Sequence, residues 1–298
     1  MAGRFCSMDK DLKDLVFCIV GLGLIGGSYA KALRRLGVKK IIAVDSNINV
    51  LSQAAAEGVI DVPCFPANET MKEADVIIFA VYPAAIFDFI KQNVKYFKPQ
   101  VLITDAAGIK GDMIEKIDSL LGAEMDFVSG HPMAGREGSG FNQSAAEIFD
   151  KANYIVVPRP HNNRNNIVWL KSFAVALGCK EVVEVSLKQH DKIIAYTSNL
   201  PHLLALALVN SQSMNSDTKF FIAGSFRDAT RVADINAELW SDLFLYNREN
   251  VLEEIEKFKN ELELWAEALK KEDAEALKSM MRSATLKRRA LYDAQSRS

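Results

Sequence analysis

Three closely spaced glycines form the clearest functional pattern in the chain. Gly21, Gly23 and Gly26 follow an apolar run at residues 15–20 and open a stretch with helical periodicity. In such a strand-turn-helix, the first glycine permits a tight turn, the second lets the backbone approach a pyrophosphate, and the third allows close packing of helix on strand. Exposed N–H groups at the positive helix end then hold the phosphates. We therefore predict a dinucleotide site at Gly21, Gly23, Leu24, Ile25 and Gly26.

An acidic residue ends the second predicted strand, at residues 41–44. There Asp45 is placed to accept hydrogen bonds from the adenosine ribose hydroxyls. Ser46 and Asn47 follow it, so no adjacent arginine neutralises a 2′-phosphate, and the pattern predicts NAD rather than NADP. In the alternative interpretation the glycines serve only a tight turn and Asp45 only caps the next helix.

The chain has four histidines as candidates for a proton acceptor. His131 follows the apolar residues 127–128 and starts a predicted loop at the carboxyl ends of the strands, where doubly wound sheets bind ligands. An unperturbed imidazole pKa near ~6.5 suits a general base at neutral pH. His161 and His190 lie in polar segments and are predicted at the surface. His202 lies in an apolar helix, where the pattern alone favours a core residue.

Strand and helix signals alternate through the first part of the chain. Apolar, β-branched runs recur up to residue 185, and most are separated by stretches with helical periodicity. This alternation predicts βαβ units and a buried parallel sheet. After residue 186 strand signals nearly vanish and long helical patterns follow. The predicted fold is therefore α/β, with a flexible lead-in at 1–14, a doubly wound, cofactor-binding sheet domain at 15–185, and an all-helical domain at 186–298.

Two segments of the helical domain are predicted to need a packing partner. Residues 203–209 form an unbroken apolar run, and Pro201 before them is expected to kink the helix or start a new one. From Val251 to Leu269 apolar residues recur at alternating spacings of four and three, with Glu and Lys on the other faces. Such a seam packs lengthwise against another helix, either within the domain or in a second subunit. We predict a homodimer.

Composition argues against several classes of function. The formal net charge is -2 and the pI about 6.2, whereas a nucleic-acid-binding protein would show a basic excess. The run at 203–209 is far shorter than the ~20 residues of a membrane span, and the N-terminal residues show no signal peptide. The four cysteines are scattered, without zinc-ligand spacing. We expect a cytoplasmic protein with no metal, no nucleic-acid partner and no membrane segment.

Several short motifs gain specificity when they are taken together. They occur in order between residues 15 and 250, and the HPMAG loop with the FRDxTR stretch is the most specific pair. The set comprises the glycine loop with Asp45, Thr104-Asp105 with Lys110, His131-Pro132-Met133-Ala134-Gly135-x-Glu137, Ser198-Asn199-Leu200-Pro201-His202, and Phe226-Arg227-Asp228-x-Thr230-Arg231 with Trp240. In this combination the chain resembles the prephenate/arogenate dehydrogenase family of tyrosine biosynthesis.

The resemblance implies a Rossmann domain, a helical dimerisation domain, and NAD-dependent oxidative decarboxylation of prephenate to 4-hydroxyphenylpyruvate, CO2 and NADH. It implies that His131 accepts the proton of the substrate's ring hydroxyl. Arg231 matches the arginine that grips a carboxylate of the dianionic substrate, a task that suits a planar guanidinium. It also makes His202 a residue of the substrate pocket, Glu137 a polar contact nearby, and Trp240 either a pocket wall or a packing residue.

One position departs from the family pattern. Many members have a serine after the Thr-Asp strand, whose hydroxyl can bond the catalytic histidine or the nicotinamide. This chain has Gly108 there, so a water, a backbone group or Thr104 would have to supply that hydrogen bond.

Three other functions stay open on the sequence. Arogenate is the nearest alternative substrate, because it differs from prephenate only in its side chain. A 3-hydroxyacid dehydrogenase would need a lysine base on the first long helix of the second domain, for which Lys192 is the candidate. A non-catalytic NAD-binding sensor would need Gly23 and Asp45 but not His131 or Arg231.

Overall fold

The structure, a computed structural model, describes residues 11–111, 113–136 and 138–296. Glu137 and residues 1–10 of the predicted lead-in therefore lie outside it, whereas Leu12–Asp14 form a 3-10 turn capped by Asp11. The chain forms two compact units. The sheet unit comprises the described residues up to Ile194 together with Asp234–Asn247, and the helical unit comprises Ala195–Ala233 and the chain from Arg248 onward. The sequence predicts a helical domain over 186–298, whereas residues 186–194 and Asp234–Asn247 belong to the sheet unit.

A six-stranded parallel sheet forms the centre of the sheet unit. Its strand order, β3-β2-β1-β4-β5-β6, is that of a Rossmann fold. The strands are β1 (Val16–Val20), β2 (Lys40–Val44), β3 (Val62–Cys64), β4 (Val76–Phe79), β5 (Leu102–Asp105) and β6 (Asp126–Phe127). Every residue of β4 and β5 is buried, because a parallel sheet is covered on both faces.

Helices connect these strands and cover the sheet. They are α1 (Leu24–Arg35), α2 (Ile48–Ala56), α3 (Pro83–Asn93) and α4 (Met113–Asp118). Successive residues of β1 enter two separate apolar cores, with Phe17 and Ile19 in one and Cys18 and Val20 in the other. This is the alternation expected where successive side chains of a strand point to opposite faces.

A second, three-stranded sheet holds the last strands. In it β7 (Ser129–Pro132) pairs antiparallel with β8 (Asn153–Val157), which pairs parallel with β9 (Glu181–Glu184). The helix α5 (Arg164–Leu177) connects β8 to β9. The sequence predicts one parallel sheet with His131 in a loop, whereas His131 lies in β7 opposite Ile155. Three of the four residues of β7 are glycine, histidine and proline, which have low strand propensity, so the sequence does not predict a strand there.

Two further helices complete the sheet unit, α6 (Leu187–Ile194) and α9 (Ala237–Tyr246). The helical unit contains a π turn (Ala195–Asn199), α7 (Leu200–Val209), α8 (Gly224–Thr230), a 3-10 turn (Arg231–Ala233), α10 (Arg248–Lys270) and α11 (Ala274–Ser296). Pro201 lies in the first turn of α7, as its missing N–H and fixed φ favour. The helix α10 contacts α11, yet the seam residues Leu262 and Leu269 stay 52% and 63% exposed.

The segment Leu187–Val209 is long and apolar enough to cross a membrane by length and composition alone. It exceeds the predicted apolar run at 203–209, because helical structure extends on its N-terminal side. Core helices of soluble proteins also have this length and composition. The segment includes His190 and Asp191, both buried within the sheet unit.

Candidate active site

The glycine loop has room for a ligand at one glycine and none at the other two. Gly21 has a φ of 92° and its N–H donates to the carbonyl of Val44 at 2.8 Å. A Cβ on Gly21 would lie 2.5 Å from Val81 Cγ1, and one on Gly26 would lie 1.8 Å from the carbonyl oxygen of Gly21. Among the described residues, no heavy atom outside its own surroundings lies within 4 Å of a Cβ built on Gly23. The backbone at Gly23 is thus open to an approaching anion.

The first turn of α1 supplies the hydrogen-bond donors for such an anion. Gly23 caps the helix, and the N–H of Gly27 makes a helical hydrogen bond to its carbonyl at 2.9 Å. The N–H groups of Leu24, Ile25 and Gly26 belong to the turn for which an α-helix provides no backbone acceptor. Together with the positive end of the helix dipole they form a phosphate cradle.

Asp45 lies at the end of β2, beside this loop. One carboxylate oxygen accepts the N–H of Leu22 at 2.7 Å, and the other accepts the N–H of Asn47 at 2.8 Å. Each oxygen keeps a further lone pair, so ribose hydroxyls can also donate to it. The cap of α2 is Asn47, whose side chain accepts from its first turn, so the interpretation of Asp45 as only a helix cap is wrong.

A buried ion pair links β5 to β7. The side chains of Asp105 and Lys110 are both fully buried, and Lys110 Nζ lies 2.6 Å from Asp105 Oδ2. Lys110 Nζ also donates to the carbonyl of Gly130 at 2.7 Å, while Asp105 Oδ1 accepts the hydroxyl of Ser129 at 2.5 Å. Burial lowers the pKa of Lys110, and the adjacent Asp105 carboxylate opposes that shift. These bonds fix the start of β7 and hence the position of the next residue, His131.

His131, itself half-buried, is the first member of a hydrogen-bonded chain that leads into the protein interior. Its Nδ1 lies 2.9 Å from Nε2 of His190, and Nδ1 of His190 lies 2.7 Å from Oδ1 of Asp191. Asp191 also accepts the backbone N–H groups of Lys110 at 3.0 Å and Gly111 at 2.6 Å. The prediction that His190 lies at the surface is wrong, because it is 1% exposed. The buried face of α6 carries polar side chains that the sequence pattern assigned to solvent.

The surroundings of His131 favour its neutral form. Burial holds the pKa of His131 well below its ordinary value, and the charge of Lys110 and the neighbouring His190 lower it further. A neutral imidazole can accept a proton at neutral pH, so His131 has the protonation state of a general base.

Gly108 lies next to the other nitrogen of this ring. A Cβ on Gly108 would lie 3.8 Å from Nε2 of His131 and 3.9 Å from Cδ2 of Leu243 on α9. Trp240 lies about one helical turn before Leu243, is half-buried, and packs against Phe244 at a ring separation of 5.4 Å. The sheet unit therefore brings His131, Gly108 and α9 together.

Two predicted substrate-binding residues meet in the helical unit. Nδ1 of His202 lies 2.8 Å from the carbonyl oxygen of Ser198. Burial lowers the pKa of His202, and the positive charge of Arg231 lowers it as well. Arg231 is exposed in the 3-10 turn after α8, a position from which a guanidinium can bind an anion. Glu137, the remaining predicted contact, lies outside the described residues.

Comparisons with known proteins agree with this arrangement. Residues 29–183 match the family model described as prephenate dehydrogenase, nucleotide-binding domain, and residues 186–283 match prephenate dehydrogenase, dimerization domain. The chain belongs to the prephenate dehydrogenase family. Two prephenate dehydrogenases are similar along most of the chain: that of Lactococcus lactis is 32% identical over 87% of this chain and 72% of its own, and that of Bacillus subtilis is 30% identical over 90% and 73%.

The fold is that of the family as well. A crystal structure of prephenate dehydrogenase from Aquifex aeolicus, in complex with hydroxyphenyl propionate and NAD+, superimposes with a TM-score of 0.87 at 30% identity, covering 95% of this chain and 100% of that one. The predicted family, the Rossmann domain followed by a helical domain, and the class of enzyme, an NAD-dependent oxidoreductase, are confirmed. The interpretation as a non-catalytic sensor is not supported.

The sequence predictions include Asp105 and Lys110 only as part of a motif, and they do not include Asp191 or Leu243. One local signal points to Asp191. His190 and Asp191 are adjacent in sequence at the start of the first helix after the last strand, where a histidine and a carboxylate can enter the same buried region. Lys192, by contrast, is exposed on α6.

Proposed function

We propose that the chain carries out the NAD-dependent oxidative decarboxylation of prephenate to 4-hydroxyphenylpyruvate, CO2 and NADH, with His131 as the proton acceptor. The observation that carries the proposal is the partly buried His131, held at Nδ1 and with Nε2 beside Gly108, which has no side chain. Its lowered pKa keeps the imidazole neutral and able to take a proton.

The glycine loop and Asp45 are the residues that hold the cofactor. The N–H groups of Leu24, Ile25 and Gly26 bind the pyrophosphate, and Asp45 accepts from the adenosine ribose. When bound, NAD accepts the hydride that leaves C4 of the substrate ring. Asp45, with no arginine next to it in sequence, favours NAD over NADP because a 2′-phosphate would meet an uncompensated carboxylate.

The protein's part in the chemistry is to take a proton and to hold an anion. Nε2 of His131 accepts the proton of the C4 hydroxyl, so the oxygen becomes a carbonyl as the hydride departs. Loss of the C1 carboxyl group as CO2 then makes the ring aromatic, and the C4 oxygen ends as a phenol. Arg231 binds a substrate carboxylate through charge-assisted hydrogen bonds, with His202 beside it, and Glu137 and Trp240 complete the proposed substrate contacts.

We propose prephenate as the substrate because two similar relatives, those of Bacillus subtilis and Lactococcus lactis, are named prephenate dehydrogenase. Arogenate differs at the side chain, where an amino acid replaces the pyruvyl group. Appearance of NADH with each of the two substrates distinguishes them directly.

The assembly we propose is a homodimer formed by the helical unit. Its match to a dimerization domain supports this, and so do the large apolar side chains that it leaves exposed. A cytoplasmic location and the absence of nucleic-acid and membrane partners stay predictions from the sequence.

The proposed chemistry is tested by replacing His131. We expect His131→Asn to lower kcat by roughly 10² to 10⁴, the usual contribution of a general base, while NAD binding is unchanged. Arg231→Ala should mainly raise KM. His161→Asn is the matched control, because that side chain is 59% exposed beside Asp118. Near-normal turnover of His131→Asn would reject the mechanism.

A further inference from the structure

We propose that His190 and Asp191 are positioning residues that hold His131 in the tautomer with its proton on Nδ1, leaving the lone pair of Nε2 for the substrate. The inference rests on the proposed function, since it concerns how His131 becomes a base. It assigns a role to two buried polar side chains in the sheet unit that neither the cofactor nor the substrate contacts explain.

The donor and acceptor of each hydrogen bond in the chain can be assigned one after the other, starting from Asp191. Its carboxylate already accepts the backbone N–H groups of Lys110 and Gly111. Burial alone would raise the pKa of Asp191, but His190 and these N–H groups outweigh it, so the pKa is lowered and the group is an anion that can only accept. Nδ1 of His190, at 2.7 Å from Oδ1, must therefore be the donor.

The second bond is fixed by the first. Burial lowers the pKa of His190, so its ring carries a single proton, and that proton is on Nδ1. Nε2 of His190 is then a lone pair, and the 2.9 Å contact requires Nδ1 of His131 to donate to it. In the opposite arrangement Nδ1 of His190 would present a lone pair to the Asp191 carboxylate at 2.7 Å, which is electrostatically unfavourable. Neutral His131 therefore carries its lone pair on Nε2.

Gly108 makes this support more important in the present chain. Gly108, on which a Cβ would lie 3.8 Å from Nε2 of His131, has no side chain, so no hydroxyl at that position can orient the ring. The orientation of His131 depends on its Nδ1 side, where His190 is itself fixed by Asp191. The side chain of Asn247 donates to the backbone carbonyl of Asp191 at 2.8 Å and ties α6 to the end of α9.

The same chain stabilises the charge that the reaction creates. When the O–H bond of the substrate breaks and an N–H bond forms at Nε2, His131 becomes an imidazolium that still donates from Nδ1 to His190. Lys110 opposes this charge, whereas the Asp191 carboxylate favours positive charge on His190 and so acts on His131 only through it. His190 transmits the effect of Asp191 to His131 in the way that an orienting carboxylate acts on a catalytic histidine.

The test pairs two substitutions of His190 with a direct observation of the tautomer. His190→Leu removes both hydrogen bonds. In His190→Gln the amide oxygen can accept from His131 while the amide N–H donates to Asp191. We expect His190→Leu to lower kcat by roughly 10² to 10³ with little change in KM, and His190→Gln to retain activity within about tenfold of wild type. His161→Leu, at an exposed histidine, is the control.

The tautomer is read by 15N NMR of the full-length protein labelled at its four histidines. In wild type at neutral pH we expect His131 to be protonated on Nδ1 and unprotonated on Nε2, and in His190→Leu we expect this preference to be lost. A merely structural role of His190 would not move this signal. If His190→Leu does not fold, the wild-type spectrum and His190→Gln decide.

Two results would overturn the inference. One is a wild-type His131 protonated on Nε2, and the other is a folded His190→Leu with wild-type kcat. Failure of the proposed function looks different, because His131→Asn itself would then remain active. An inactive His131→Asn beside a fully active His190→Leu would reject the positioning role alone.

Discussion

The two units of the chain satisfy their apolar side chains in different ways. In the sheet unit both faces of the six-stranded sheet are covered, and side chains such as Phe17, Phe79 and Tyr154 are fully buried. In the described part of the helical unit, the buried apolar residues are Ala195, Leu200, Ala205, Val251 and Ala268. Many large apolar side chains there are exposed, namely Tyr196, Leu208, Met214, Phe220, Phe221, Leu252, Leu262, Leu264, Leu269, Met281, Leu286 and Leu291.

The sheet unit therefore buries most of its large apolar side chains in its own core. The helical unit leaves many of them exposed, as expected if they pack against another molecule. The helical unit matches a dimerization domain, so a second copy of the chain is the proposed occupant. The nucleotide loop and the His131 chain lie in the self-contained sheet unit, where close packing can hold hydrogen bonds to the tolerances that chemistry needs.

The largest expected effect tests the close packing of the sheet unit. Gly26→Ala places a Cβ 1.8 Å from the backbone oxygen of Gly21, so the glycine loop has to shift. We expect a loss of stability of about 3 kcal/mol or more, measured by thermal unfolding, and loss of NAD binding. Gly108→Ala is the control, since its Cβ meets only ordinary contacts and should cost under about 1 kcal/mol. Wild-type NAD affinity in Gly26→Ala would contradict this view of the loop.

The next effect tests the exposed surface of the helical unit. Leu262 and Leu269 lie seven residues apart on α10 and are 52% and 63% exposed. Buried in a dimer, each would contribute roughly 1 to 4 kcal/mol, so Leu262→Glu with Leu269→Glu should give a monomer that keeps its helical CD spectrum. Light scattering measures the mass. Val175→Glu, at an exposed position on α5, should leave the assembly unchanged, and a dimer that survives the double substitution would place the interface elsewhere.

A smaller effect is expected at the cofactor end of the sheet unit. Asp45→Ala removes a charged acceptor for the ribose and should weaken NAD binding by about tenfold in a fluorescence titration, with no comparable loss for NADP. Asp45→Asn keeps an acceptor for the N–H of Leu22 and controls for disruption of the loop. Equal weakening of both nucleotides by Asp45→Ala would count against ribose recognition.

The smallest effect is a displacement of the pH profile. His131 must be neutral to accept a proton, so activity falls as the pH drops through its pKa. Because burial, Lys110 and His190 lower that pKa, the acidic limb of kcat/KM should lie below ~6.5, the ordinary value for histidine. An acidic limb at or above that value would show that the environment of His131 does not favour its neutral form.

The outcome of the sequence analysis differs between the glycine loop and the histidines. The loop could be predicted because its features are neighbours in sequence: the glycines, the strand before them and the helix after them. Each glycine is required by the conformation or close packing of the backbone at its own position. His190 was wrongly assigned to the surface because its neighbours in sequence are polar, while its burial depends on β7 and on the loop at Lys110. The sequence proposes His131 as the base but does not show that it lies in a strand, because the short strand β7 has no alternation of apolar and polar residues.

By itself, the sequence determined the family, the Rossmann domain and the NAD cofactor, because these rest on residue types at fixed short spacings, and it proposed His131 and Arg231 as site residues. Only the tertiary structure decided what surrounds them. The contact between His131 and His190 joins residues 59 positions apart, and the bonds from the N–H groups of Lys110 and Gly111 to Asp191 span 81 and 80 positions. These groups come within hydrogen-bond distance only because β5, β7 and α6 lie next to one another in the folded chain.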